Sequence, residues 1–327
     1  MSLLSYKENA GGAAAWAESI REMVVFEAMP PWYVDPTGPQ VRNNHAITAR
    51  EIDVLVTWAS GGTPEGDLTK KPAPVVLSNR WSFGQPDATL QMDQEHTIPA
   101  GTQEETKDFT LATSFPDTKW IKAAGLRPGA PSAVRQAMIG IENGPVLAVW
   151  EPGDEITPAP GGAAFKLPAG ARLSLRIRYK KSWRDEQKAV SDRSTVGLYF
   201  TDEPLSGRDI QAFALNAPTS GGDSAEARTF ASSLSRAGRV LAVRPLLDQP
   251  YTAVDVLAQL QNGRKVPLLK LRAARPEWPR RYWLTDPIEL PSGARIEVSV
   301  TPAPPDEGPL APPVKYPLQV ALDLIPQ

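Results

Sequence analysis

From Trp81 onward this chain never runs far without a Pro, Gly, Asp or Asn. Such residues break helices and close turns, so the segments between them suit strands better than helices. "ATLQM" (88–92), "RLSLRIRY" (172–179), "TVGLYF" (195–200), "VLAVRPLL" (240–247), "PLLKLRAA" (267–274) and "RIEVSVTP" (295–302) are segments of this kind. "RLSLRIRY" alternates apolar and polar residues with a period of two, as a strand does when one face meets a core. The 34 prolines and 24 glycines supply the punctuation, and a 41% hydrophobic content supplies enough material for more than one core across 327 residues. Two blocks of these segments predict two antiparallel β-sandwiches.

Helical periodicity is confined to the front of the chain. In "AAAWAESIREMVVFEA" (13–28), Trp16, Ile20, Met23 and Val24 recur at helical spacing, and Pro30 and Pro31 end the run. A second helix is predicted over 48–60. Thr48 and Glu51 form a capping box, Ile52, Leu55, Val56 and Ala59 form a stripe, and Gly61 and Gly62 stop it. The expected organisation is mainly β: a helical piece over 1–66, a linker over 67–79, a first sandwich over 80–204 and a second over 205–327. No internal repeat of fixed period is visible.

Composition removes several function classes. Lys plus Arg total 35 and Asp plus Glu 37, so no bulk attraction to nucleic acid or anionic lipid is expected. No apolar run approaches the roughly 18 residues that a membrane span requires. Cysteine is absent, which removes disulfides, cysteine-type zinc sites, thiol nucleophiles and covalent haem attachment by these residues. No G-x-S-x-G elbow, dinucleotide fingerprint or phosphate loop occurs. His45 lies in a loop before the second helix and His96 at a strand end or turn, both read as surface residues. "YKKSWR" and "RPEWPRR" mix cations with tryptophan and read as hairpin edges or protein contacts. The first twenty residues hold no basic stretch followed by an apolar one, so no export signal is legible there.

The order of these pieces resembles bacterial proteins that fuse a mono-haem cytochrome c to a copper type II, ascorbate-dependent monooxygenase-like module. That module has the double jelly-roll fold of peptidylglycine α-hydroxylating monooxygenase. "SLLSY…AWAESI…MPPW" (2–32) and "ITAREIDVLVTWASGGTPEGD" (47–67) resemble the later part of the cytochrome domain. W-x-x-G-x-P-D (Trp81, Gly84, Pro86, Asp87), "IPAG" (98–101), "LRPG" (126–129) and "EPGD…KLPAGARLSLRIRY" (151–179) resemble the first copper domain. "EWPRRYWLTDPIELPSGARI" (277–296) resembles the core of the second.

The resemblance implies two tandem antiparallel jelly-roll-like sandwiches behind a short helical cytochrome c-like remnant. It also implies that Met29 stands where a distal haem ligand would be, a soft thioether donor. The matching Cys-x-x-Cys-His motif would lie upstream of Met1. Either the chain begins at Met1 as a haemless stub, or Met1 is internal to a longer protein.

The family's two copper sites need five histidines and a methionine, because copper there requires imidazole and thioether donors. The chain has two histidines. Where the family carries a His-His pair after "RPG", this sequence has Arg135 and Gln136. Where it carries a histidine before the strand tyrosine, this sequence has Arg178. In place of the Pro-His-Met-His run stands "RPLLD", with Leu246 and Asp248 at ligand positions. Arg135 and Arg178 are expected either to fill the vacated hole, paired with acids such as Asp192 or Glu151, or to face solvent.

The resemblance therefore implies a scaffold that has lost its copper chemistry, with no cofactor and no catalytic residues in this chain. The expected role is a non-catalytic accessory or structural subunit of a periplasmic electron-transfer complex, respiratory or photosynthetic. It would be peripheral to the membrane, docked to protein partners in a larger redox assembly such as one holding a cytochrome. Met29, Pro30, Pro31, Trp32 and Trp183 are the candidate interface. Two alternatives stay open: an electron carrier with Met29 as an axial haem ligand, and an enzyme with a relocated, metal-free site. Trp58, Trp81 and Trp278 are expected in cores, and Trp120 and Trp150 at an interface.

Overall fold

The computed structural model describes residues 6, 12–26, 29, 33–42, 46–71, 81–202, 208–218, 226–304 and 316–327. Pro30, Pro31, Trp32, His45, most of the expected linker and most of the Pro-rich stretch 301–317 lie outside the described residues. The chain falls into two compact units. The first comprises 1–34 and 43–78, the second 35–42 and 79–327.

The first unit is helical. A short turn of 3-10 helix, Ala13–Trp16, leads into α1 (Ala17–Val25), and α2 (Ala49–Ser60) packs on α1. The predicted capping box is present. Thr48 accepts from the Glu51 N–H, and Glu51 accepts from the Thr48 N–H at 2.7 Å. The first helix is shorter than its periodicity predicts. It stops at Val25, and of its expected stripe only Val24 is buried, while Trp16 and Met23 stay exposed. Trp58 is half-buried and donates its indole N–H to the Pro64 carbonyl at 3.2 Å.

The second unit is the mainly β body that the alternation predicts. The first sandwich holds β1 (Ala88–Gln91), β2 (His96–Ile98), β3 (Glu104–Ala112), β4 (Lys119–Arg127), β5 (Val134–Ile141), β6 (Val146–Trp150), β7 (Phe165–Leu167), β8 (Arg172–Lys180), β9 (Val190–Asp192) and β10 (Thr195–Thr201). Its sheets run β1-β10-β4-β7 and β3-β8-β5-β6, with β2 and β9 as a separate pair. The second sandwich holds β11 (Gln211–Asn216), β12 (Arg228–Ser233), β13 (Gly238–Leu246), β14 (Tyr251–Gln259), β15 (Lys265–Ala274), β16 (Tyr282–Leu290), β17 (Arg295–Pro302) and β18 (Gln319–Pro326). Its sheets run β11-β18-β13-β16 and β12-β17-β14-β15. With the β2/β9 pair set aside, both sandwiches have one strand order, first-eighth-third-sixth over second-seventh-fourth-fifth. That is the jelly-roll arrangement.

Burial follows the pleat. On β8, Leu173, Leu175, Ile177 and Tyr179 point into the first core, each no more than 1% exposed. From Val240 on β13 to Leu247 just beyond it, however, every residue is buried. A strand buried on both faces is covered on its outer side. The cover is the first sandwich, because Leu241, Ala242, Trp283 and Ile325 belong to the same apolar cluster as Ile139, Phe165 and Leu167.

Segment 35–42 clasps the second sandwich at two edges. The Asp35 N–H donates to the Lys270 carbonyl on β15 at 2.9 Å, and the Arg42 N–H donates to the Trp283 carbonyl on β16 at 2.8 Å. The Thr285 N–H returns a bond to the Gln40 carbonyl at 3.0 Å. Lys270 leaves so little room that a Cβ on Gly38 would meet it at 3.1 Å.

Candidate functional site

The alternation of β8 breaks at Arg178. Arg172, Ser174 and Arg176 point outward and are exposed; Arg178 points the same way and is 6% exposed. The segment between β15 and β16 covers it, and Arg178 donates to the Glu277 carbonyl at 3.4 Å. Of the two expectations for Arg178, facing solvent fails; Arg176, on the same face, is exposed and pairs with Asp108.

The acid that meets Arg178 is neither of those expected. Arg178 donates Nε to Glu104 Oε1 at 2.6 Å, and Lys180 stands 3.4 Å from the other oxygen. β3 runs beside β8 in a register that pairs Glu104 with Lys180, so the ion pair is a diagonal one on the outward face. Asp192 lies in the interior instead. It accepts from the Ala130 N–H at 2.8 Å, the Tyr179 hydroxyl at 2.9 Å and the Ser194 hydroxyl.

Gln136 faces Arg178 across the β5–β8 ladder and is 2% exposed. Its carbonyl accepts from the Tyr316 hydroxyl at 3.1 Å, while its Nε2 has no partner among the described residues. Arg135 is half-buried, and burial together with the nearby Arg178 charge lowers its pKa. The β5–β6 register pairs Ala137 with Trp150, which brings Gln136 alongside Glu151. Glu151 is 1% exposed and accepts from Arg280 Nη2 at 2.9 Å.

A second polar group extends this seam between the sandwiches. Arg281 donates to Asp323 Oδ2 at 2.8 Å and to the Leu147 carbonyl of the first sandwich at 2.6 Å, and to the Val146 carbonyl beside it. Its guanidinium stacks near the rings of Phe165 and Trp283, 5.2 and 5.1 Å from their centroids. Arg244 is 4% exposed, and burial with the Arg281 charge drops its pKa to about 10.

The two remaining positions do other work. Leu246 is a buried apolar residue at the end of β13. Asp248 accepts from Arg228 at 2.9 Å and from the Tyr251 hydroxyl at 2.6 Å. The donor set therefore does not fit copper: guanidinium groups have no acceptor lone pair, and Gln136 and Leu246 supply neither imidazole nor thioether. Among the described residues no group of three or more His, Cys, Asp or Glu is placed to hold a metal ion.

His96 is not the surface residue expected. On β2 it meets Glu105 at 2.6 Å and packs against Phe109 and Tyr179, on the wall of a pocket of about 340 Å³ that also touches Met92 and Leu111. Trp150 packs against the first core and Trp120 meets Lys166, so neither adds to an exposed patch. Met29 is 46% exposed, and its N–H donates to the Met23 carbonyl at 3.1 Å.

Trp183 is 75% exposed. Its loop is nonetheless fixed from beneath. Lys181, only 3% exposed, donates to the carbonyls of Pro99, Glu186 and Lys188 at 2.7 to 2.9 Å. Asp185 braces the same turn through the Ser182 hydroxyl at 2.7 Å.

Glu104, Glu277, Arg280, Arg281, Asp323 and Tyr316 were not singled out by the sequence reading. Two of the buried charges did leave a trace: Asp323 interrupts "VALDLI" and Arg244 interrupts "VLAVRPLL". A charge inside a fully apolar strand demands a partner on its covered face.

No protein-family model matches the chain, and no curated protein matches it. Among solved structures it is similar to the A223 turret protein of Sulfolobus turreted icosahedral virus, at 6% identity over 73% of this chain and 98% of that one, with a TM-score of 0.19. It is similar to allantoicase at 9% identity over 68% of this chain and 78% of that one, with a TM-score of 0.23. It is similar to a Paenibacillus xanthan lyase at 12% identity over 78% of this chain and 27% of that one, with a TM-score of 0.19.

Proposed function

We propose that the chain is a non-catalytic scaffold subunit, built on two jelly rolls and serving a periplasmic electron-transfer complex by binding other proteins. The observation that carries the reading is the seam. Arg178 and Gln136 stand where the resemblance puts copper ligands, and each is engaged by a structural partner, Glu104 and Tyr316. The Gln136–Tyr316 bond joins the two sandwiches and the Arg178–Glu104 pair lies within the first, and neither side chain offers copper an imidazole or a thioether. The electron-transfer setting and the location rest on the sequence resemblance alone.

The Trp183 loop supplies the surface. An exposed tryptophan on a loop fixed by buried bonds costs little entropy to dock, the property of an interface anchor. Arg184 lies 5.1 Å from its ring centroid, so the anchor carries charge.

The test is to isolate the protein from its native host at native expression. Metal content, haem absorbance and assembly size are measured on the same sample, for the wild type and for Trp183→Ala. The reading expects a large assembly with no copper bound to this chain, and its loss in the variant. Stoichiometric copper, or turnover of an ascorbate-dependent hydroxylation, overturns it. A monomer in both samples removes the docking role.

A further inference from the structure

We propose that the cleft beside His96 is a binding site for a small organic cation, an ammonium group carried on an apolar body. The cleft belongs to the first sandwich alone. Its volume of about 340 Å³ lies at the small end of ligand sites, which run from ~300 to ~1,000 Å³. Phe109 and Leu111 reach it from β3, on the face opposite Glu104, because side chains alternate along a strand. Met92 and Leu111, 1% and 2% exposed, make an apolar floor, and Phe109 adds an aromatic ring 5.6 Å from that of His96.

The charge around this apolar floor has one sign. Asp93 and Glu95 line the mouth and are exposed, and the other polar lining residues apart from His96, Gln94 and Thr110, are uncharged. No lysine or arginine lines the cleft. Two cations nearby are turned to other work. Lys107 stands 3.7 Å from Glu105 Oε2, and Arg193 holds the turn through the carbonyls of Met92 at 2.9 Å and Asp93 at 3.2 Å. The Met92 N–H also donates to the Ser194 carbonyl at 3.0 Å. The wall is therefore built before any occupant arrives, which lowers the entropy lost on binding.

His96 supplies the polar contact. Glu105 as a carboxylate can only accept, so His96 donates Nε2–H to it at 2.6 Å. In the neutral ring Nδ1 is then an acceptor, and no described residue engages it. An acceptor on the wall, an aromatic ring and two carboxylates at the mouth all favour an occupant that donates and is positively charged. An anion would meet like charge and find no cation among the lining residues.

The chain has two histidines, so the ring of His96 can be followed singly by NMR on the full chain with isotope-labelled histidine. His45→Gln tells the two signals apart. Cyclohexylamine is titrated at about pH 8.5, above the ordinary imidazole value of ~6.5. Cyclohexanol and cyclohexanecarboxylate carry the same body with neutral and negative heads. Cyclohexylammonium is expected to shift the His96 Nδ1 signal saturably, to bind about tenfold more tightly than cyclohexanol, and to leave the carboxylate without measurable binding. Asp93→Asn combined with Glu95→Gln alters exposed positions only. It should weaken the amine by about threefold per carboxylate at low salt and leave cyclohexanol unchanged. No saturable shift with the amine, or equal binding of the three probes, overturns the site. A double variant that binds the amine as tightly as the wild type overturns its preference for a cation.

Discussion

Arg178 shows how one position can be legible in place and illegible in role. The strand, its phase and the outward direction of Arg178 all follow from the alternation in "RLSLRIRY". What covers that outward face comes from "RPEWPRR", about a hundred residues later, and no local pattern connects the two. Glu104 was missed for a similar reason: a diagonal pair depends on the β3–β8 register, which a single strand does not encode. Arg178 is 6% exposed and Glu104 14%, so removing one partner leaves a largely desolvated charge. Arg178→Leu should therefore cost about 3 kcal/mol of unfolding free energy by chemical denaturation. Adding Glu104→Gln should recover part of it, because Lys180 at 3.4 Å only partly compensates the carboxylate left behind. If the double variant is no more stable than the single one, the pair is not what Arg178 contributes.

The strap 35–42 is the element that the sequence least advertises. It has no helical or strand periodicity, and its partners β15 and β16 lie more than two hundred residues away. Strap and partners meet through backbone bonds, which any residue type can make. Its one chemical signature is Asp35. The Thr37 hydroxyl donates to it at 2.7 Å, Arg272 donates to its other oxygen, and the Thr37 N–H donates at 2.8 Å. These donors hold the Asp35 carboxyl well below the usual carboxylate range. A depressed pKa adds support above the ordinary carboxylate value, and that support is lost as pH falls through the depressed one. The strap should thus stay seated from neutral pH down to strong acid. Asp35→Asn should loosen it already at neutral pH, read as faster proteolytic cleavage within 35–42, with the difference from wild type shrinking in strong acid. Equal cleavage rates at neutral pH would show that the backbone bonds alone seat the strap. The two exposed edges it clasps are ones that other sheets must protect by other means.

At the scale of the whole second unit, the fold class was readable and its unity was not. Turn residues and alternation announce two sets of strands. They cannot announce that both sets share one strand order, because jelly-roll neighbours are distant in sequence and equivalent strands need share only their pattern. Nor do they show that the outer face of β13, β16 and β18 is buried against the first sandwich, although Arg244 and Asp323 within apolar runs hint at it. Apolar continuity through Ala242, Trp283 and Ile325 makes the two sandwiches one cooperative body, so calorimetry of the wild type should give one transition for them. Arg281 is the polar rivet in that contact, bonded to Asp323 on one side and to the Val146 and Leu147 carbonyls on the other. Arg281→Met keeps the packing against Phe165 and Trp283 and abandons Asp323, which is fully buried. Arg244 remains beside that carboxylate, so the loss should fall at the lower end of the range for a broken buried pair, about 3 kcal/mol. Because two of the bonds lost, to the Val146 and Leu147 carbonyls, are among those that join the sandwiches, the single transition should also broaden or split in two. A lower midpoint with one transition preserved would place the coupling in Ala242, Trp283 and Ile325 rather than in the arginine.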